Sequence, residues 1–253
     1  MRGQDHSQGM KAEGLDLALS RSALYEILAL GFRPPTSEIF LRLGTGGQNL
    51  PLVDMASFVG SRTVSERPAD LEERVRCLIG SVAEADLESL EASYRDLFGH
   101  TARPKVPPYE TEYGEGSAWQ QPHELSDIGG IYRAFGLRIS GDSPERADHV
   151  SCECEFLSFL ARKEAYALAT ADGPMCEETR KAQRIFLSDH LGNFAPALAL
   201  AICKADPTGF YGALGDLLYD FITDECGRFG IQAGPDHLRF RSTELMDGCN
   251  RCE

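Results

Sequence analysis

Apolar positions recur along this chain at intervals of three and four, the spacing that lines one face of an α-helix. Leu15, Leu19, Ala23 and Leu30 share one side of a first helix that has to stop before Pro34-Pro35. Leu87, Leu90, Tyr94, Leu97 and Phe98 form a second stripe, closed by Gly99 as a C-terminal cap. Leu125, Ile128, Tyr132 and Phe135 repeat the pattern before Gly136, as do Phe210, Leu214, Leu217 and Phe221 before Gly227. A longer helix is predicted from about Pro144 to Ala171. Ser143 would cap it, Pro144 suits its first position, and Glu145 complements the positive end of its dipole. Val150, Cys154, Leu157 and Ala161 fall on one side of this helix and Cys152, Phe156 and Phe159 on the other, so it belongs in the middle of a bundle. No alternating β-branched run is long enough for a strand. The pattern predicts an all-α fold, a single-domain helical bundle over residues 15–235 with a long loop between two helical sets. A flexible tail at 1–14 and a polar tail at 236–253 flank it.

Composition narrows the function without naming it. Lys+Arg 25 against Asp+Glu 39 gives a net charge of −14 over 253 residues. A nucleic-acid partner is disfavoured, because neutralising phosphates needs an excess of basic residues. A membrane span is disfavoured too: the apolar run from Phe194 to Cys203 contains Pro196 and falls well short of the ~20 residues a bilayer requires. The polar N-terminus lacks the apolar core of a secretory signal, so a cytoplasmic location is expected. In a reducing compartment the eight cysteines read as buried thiols or metal ligands rather than a disulfide framework.

Three places could carry chemistry. The stretch from His100 to Gln121 has no helical period and interleaves Tyr109, Tyr113 and Trp119 with Glu110, Glu112 and Glu115. Rings supply contact area and carboxylates select cations, a pairing suited to an apolar peptide bearing positive charge. The plainer reading is a proline-stiffened crossover whose tyrosines pack on the bundle. Asp148 and His149 open the long helix, with Glu153 four residues beyond His149, close enough on a helix to fix a tautomer or hold a proton. Here the plainer reading is a satisfied histidine anchoring the neighbouring loop. The third place is Cys249-Asn250-Arg251-Cys252, a lone CxxC without the second pair that zinc needs. His190 or His237 could contribute, but the spacing does not say so. A small helical metal-binding or redox protein using Cys249 and Cys252 is therefore the alternative function. The phosphate-binding, zinc-protease and serine-hydrolase motifs are all missing, which points away from an enzyme.

A family resemblance joins these places. Tyr94-Arg95-Asp96-Leu97-Phe98-Gly99 and then Pro107-Pro108-Tyr109-Glu110-Thr111-Glu112-Tyr113 resemble the loop signature of the TorD/DmsD/NarJ-type chaperones. Ile128-Gly129-Gly130-Ile131-Tyr132-Arg133-Ala134-Phe135-Gly136-Leu137 follows in the family's order. So do Pro144-Glu145-Arg146-Ala147-Asp148-His149, Glu153-Cys154-Glu155-Phe156-Leu157, and Phe186-Leu187-Ser188-Asp189-His190-Leu191 with Phe194 and Pro196. The resemblance implies a cytoplasmic maturation chaperone, not an enzyme, for a molybdenum enzyme of the dimethyl-sulfoxide-reductase class. Its partner would be the catalytic subunit of that molybdopterin-dependent oxidoreductase, held by its N-terminal, twin-arginine-type leader until the cofactor is inserted. The implied peptide-binding residues are Tyr109, Glu112, Tyr113, Asp148 and His149, to which the helical spacing adds Glu153. No cofactor of its own is implied, and either a monomer or a swapped dimer fits the fold. Many members have tryptophan where Tyr109 stands, and the tail with Cys249 and Cys252 is not a general family feature.

Overall fold

In a computed structural model of the chain, residues 2–44, 50–63, 70–99, 104–115, 120–138 and 145–241 are described. Ten α-helices run through them: α1 Arg2–Gly31, α2 Ser37–Gly44, α3 Leu50–Gly60, α4 Leu71–Glu84, α5 Leu87–Phe98, α6 Gln121–Ala134, α7 Val150–Thr170, α8 Gly173–Asp189, α9 Leu191–Ala205 and α10 Phe210–Arg228. A 3-10 turn, Glu110–Glu112, and two isolated β-bridges are the other ordered elements among these residues. The all-α fold read from the sequence is the fold observed. None of the helices is by itself long and apolar enough to cross a membrane.

Several helix ends follow local chemistry. Asp70 and Asp86 accept backbone N–H bonds from Glu73 and Ser89 at the starts of α4 and α5, each answering a donor that the first turn leaves open. Gly99 caps α5 as expected, but with φ −66° rather than in the left-handed region. Its requirement is space, since a Cβ there would lie 2.1 Å from the Arg95 carbonyl oxygen.

Three boundaries differ from the sequence reading. Residues 2–14, expected as a flexible tail, form the first half of α1. α10 continues through Gly227 to Arg228, and Gly230 supplies the left-handed turn (φ 65°) beyond it. α7 starts at Val150 rather than near Pro144, because Asp148 and His149 are drawn into contact with the loop before α6. Ser143 and Pro144 lie outside the described residues, as do Trp119, Cys249 and Cys252.

α7 is the central rod, with Val150, Cys154, Leu157, Leu160 and Ala161 wholly buried. α1 lies along it, α8 packs beside it, and α10 sits against α9, α4 and α1. The buried stripe of α1 is not the predicted one. Leu19 is 45% exposed, whereas Ala18, Arg21, Ser22, Tyr25 and Leu28 face inward. A buried arginine on that face is tolerable only because acids meet it. Arg21 donates to both carboxylate oxygens of Glu225 (2.6–2.8 Å), to Glu164 (2.9 Å) and to Gln183 (2.7 Å), and Tyr25 also donates to Glu225 (3.1 Å). Hydropathy scored that position as polar and so picked the wrong side of the helix.

One junction matters for the site. α8 and α9 meet at His190 with a bend of 49°. The turn is tight enough that a Cβ on Gly192 would lie 2.3 Å from the Leu187 carbonyl oxygen and 2.7 Å from Cys226 Sγ. That bend points His190 back toward the loop before α6, where its ring meets Glu110.

Candidate functional site

The loop expected to be structureless is pinned from two sides. Toward α7, the Glu110 N–H donates to the Asp148 carbonyl and the Val150 N–H to the Pro108 carbonyl, both at 2.9 Å, forming a short antiparallel bridge between Tyr109 and His149. Toward the C-terminal segment, the Gly114 N–H donates to Arg239 (2.9 Å) and the Arg241 N–H to Glu112 (2.7 Å). The Arg241 guanidinium adds a bond to the Tyr113 carbonyl and a two-point contact with Glu124 at 2.7 and 3.0 Å. An extended segment of this length would otherwise leave its peptide groups unpaired, so these bonds fix where its side chains point.

Asp148 is fully buried and saturated. Its Oδ2 accepts from the Thr111 N–H (3.2 Å) and hydroxyl (2.8 Å), and the Arg146 guanidinium donates to both of its oxygens at 3.0 and 2.8 Å. Arg146 also lies 4.2 Å above the Tyr109 ring and 3.5 Å from Glu112. Tyr109, half-buried, donates its hydroxyl to Glu145 at 2.8 Å. Burial, followed by that carboxylate, pushes the Tyr109 phenol above its ordinary pKa. Tyr109, Glu112 and Arg146 thus form the accessible rim, and Asp148 is the anchor beneath.

His149 is the N-cap of α7. Its Nδ1 accepts from the Ser151 N–H at 3.1 Å, which places the neutral ring's proton on Nε2, 3.6 Å from Glu145. Burial lowers its pKa from 6.5 to about 4. The sequence reading paired His149 with Glu153 through helical i, i+4 spacing. The structure separates them, because His149 is extended (φ −73°, ψ 135°) and its ring packs edge-on against Tyr109 at 5.0 Å.

Glu153 faces a different neighbour. It is wholly buried and neither carboxylate oxygen has a hydrogen-bond partner of ordinary geometry. Burial, then the negative charge of Glu110, pushes its pKa well above the usual carboxylate range. Glu110 meets His190 Nδ1 at 3.1 Å, joining the loop, α7 and the α8–α9 bend. A cavity of about 310 Å³ opens beside this group, lined by Glu110, Asp127, Asp189, His190 and Arg241. Tyr113, expected as a peptide contact, is only 3% exposed. Its hydroxyl donates to the Pro107 carbonyl and its ring packs between Phe194 and Phe240, so it holds the loop from below.

Of the six residues singled out, then, Tyr109 and Glu112 reach the surface. Asp148, His149, Tyr113 and Glu153 lie beneath it. Thr111, Glu145 and Arg146 complete the cluster and were not picked out by residue type. An arginine two positions before an aspartate in the turn ahead of a helix is the local signal that could have found Arg146. Among the described residues no group of three or more His, Cys, Asp or Glu side chains is arranged to hold a metal ion.

Comparison with known proteins places the chain. The family model for the nitrate reductase delta subunit matches residues 65–199. The chain is 29% identical over 218 residues to the perchlorate reductase assembly chaperone protein of Dechloromonas aromatica, covering 83% of this chain and 90% of that protein. It is 32% identical over 143 residues to the chaperone protein TorD of Photobacterium profundum, covering 54% of this chain and 62% of that one. Against the selenate reductase assembly chaperone protein of Thauera selenatis it is 31% identical over 109 residues, 43% of this chain and 54% of that one. These relatives are named as chaperones, two of them as assembly chaperones. With more than half of its length matched, the chain belongs to the nitrate reductase delta subunit family, the TorD/NarJ family of chaperones.

Proposed function

We propose that this protein is a cytoplasmic assembly chaperone for a molybdenum-containing reductase. It binds the N-terminal leader of the catalytic subunit on the rim formed by Tyr109, Glu112 and Arg146, above Asp148 and His149, before that subunit is exported. The observation that carries this reading is the position of Tyr109: an aromatic ring held at the surface by Glu145 and Arg146, with acids at its edge. Such a rim offers contact area to an apolar stretch and charge selection to an adjoining arginine. Relatives named for perchlorate and selenate reductases support a client of the same chemical class.

Most of the affinity would come from burying the leader's apolar stretch, at about 25 cal/mol per Å² before ordering costs. Titration calorimetry with a synthetic peptide carrying an Arg-Arg pair followed by a leucine-rich stretch tests the reading. The protein binds the peptide. Tyr109→Ala weakens binding about tenfold or more, the size of effect expected of an aromatic anchor, while its circular dichroism shows that the helical fold is kept despite the lost contacts to Glu145, Arg146 and His149. Equal affinity in the two proteins would remove the rim from the binding surface.

A further inference from the structure

The guanidinium of Arg146 already occupies the place that the rim would offer to an arginine of the client. Four contacts make that seat. Asp148 takes two parallel N–H bonds at 3.0 and 2.8 Å, the forked geometry that distinguishes a guanidinium from an ammonium. The Tyr109 ring lies 4.2 Å beneath the plane, Thr111 Oγ1 accepts a third bond at 3.1 Å, and Glu112 stands 3.5 Å from the remaining nitrogen. The two partners differ in exposure: the Asp148 side chain is 0% exposed and that of Arg146 37%. The acceptor is therefore a fixed part of the fold, while the cation lies on it from the solvent side.

We infer that Arg146 is an internal occupant of an arginine seat, and that a client arginine enters by displacing it. The idea rests on the leader-binding reading above and adds its regulation. Exchanging one guanidinium for another leaves the number of charge-assisted bonds at Asp148 unchanged. The seat itself therefore adds little net affinity, and the client's apolar stretch decides whether binding occurs. A peptide with arginine but no apolar stretch is rejected, which protects the site from the many arginines on other proteins. The open fraction of the seat scales the apparent affinity for any competing guanidinium.

Two measurements test this. In the first, the Arg-Arg-leucine peptide and its Lys-Lys counterpart are titrated into the wild type, Arg146→Ala and Arg146→Lys. Emptying the seat makes Arg146→Ala bind the arginine peptide about tenfold tighter than the wild type, in proportion to the lost self-occupancy. The lysine peptide gains much less, because it cannot form the fork. Arg146→Lys keeps the charge without the fork and guards against a folding defect in the alanine variant; it shows a smaller gain for the arginine peptide. Affinity that is unchanged or weaker in both variants, or an equal gain for both peptides, overturns the proposal.

The second measurement needs no client. N-ethylguanidinium raises the melting temperature of Arg146→Ala by several degrees more than that of the wild type, since it refills the seat above Asp148. Equal shifts in the two proteins overturn the seat. A wild type and variants that bind neither peptide, together with a selective N-ethylguanidinium effect, would instead count against the leader-binding reading and leave the seat standing.

Discussion

Arg21 and Glu153 are both buried ionisable groups in the same bundle, and their surroundings are opposite. Around Arg21, helices α1, α7, α8 and α10 converge so that its donors meet Glu225, Glu164 and Gln183, while Arg180 and Arg228 close on the outer oxygens of the two acids. Burial alone would raise the pKa of Glu225, but Arg21 and Arg228 hold it below the usual value. Around Glu153 burial and the neighbouring acids Glu110 and Asp148 favour the proton-bound form. The first cluster gives each buried carboxylate two guanidinium partners and ties four helices together. The second holds a buried carboxyl among acids beneath the loop, the arrangement that perturbed groups take at functional sites more often than in structural cores.

The difference can be broken at its stronger end first. Arg21→Met removes the central partner of Glu225 and Glu164, leaving each with one guanidinium, and costs about 3–5 kcal/mol, a fall in melting temperature of about 10 °C. A loss below about 1 kcal/mol would mean that the acids find other partners and that the cluster is not a unit. The next largest effect concerns His149. Its folded pKa of about 4 lies below the unfolded value of 6.5, so the folded state binds fewer protons between those values. Its contribution is complete above pH 6.5 and is lost toward pH 4, about 3 kcal/mol over that window. His149→Asn keeps a cap acceptor for the Ser151 N–H and flattens this part of the stability–pH profile, measured by denaturant unfolding. A slope as steep as the wild type's would assign the titration to another group.

Asp148→Asn should cost about 2 kcal/mol, the worth of hydrogen bonds to a charged group, and speed hydrogen exchange at the Glu110 and Thr111 amides. Asp148 is therefore a structural anchor as well as a candidate determinant of binding, and its substitution perturbs both. The smallest effect belongs to Glu153→Gln. The raised pKa of Glu153 means that the folded state keeps a proton that the unfolded chain releases, so its contribution to stability falls as pH rises above its ordinary value of 4.5. The glutamine variant gains on the wild type as the pH is raised, by a margin that grows with pH. A difference that stays constant with pH would show that the carboxyl titrates alike in the folded and unfolded states, with no raised pKa in the fold.

The helical fold was legible because most helices bury one ordinary apolar stripe. Phe210, Leu214, Leu217 and Phe221 on α10, and Leu90, Leu97 and Phe98 on α5, are buried where period 3.6 puts them. α1 was misread where Arg21 faces inward, since a matched guanidinium leaves no mark in a hydropathy pattern. The start of α7 was misplaced for a related reason. Glu145-Arg146-Ala147-Asp148-His149 has good helix-initiating chemistry, but a turn closed by the His149 N–H on the Arg146 carbonyl and the bonds to the loop around Tyr109, some forty positions away, keep it out of the helix. The site residues were found by type, and their depths were not. Nothing local distinguishes Tyr109, whose hydroxyl finds Glu145 at the rim, from Tyr113, whose hydroxyl finds the Pro107 carbonyl inside.

The pairing of residues 112–114 with residues 239–241 sets a schedule for the protein's own synthesis. The bond from Arg241 to Tyr113 spans 128 positions. At the roughly 5–20 residues per second of translation, the loop waits on the order of ten seconds for the segment that holds it. Until then α5 and α6 can pack while the segment between them lacks its second anchor. The rim assigned here to leader binding would thus be among the last surfaces to take shape, and a nascent copy of the chaperone would be unable to engage a client before its helical frame is complete.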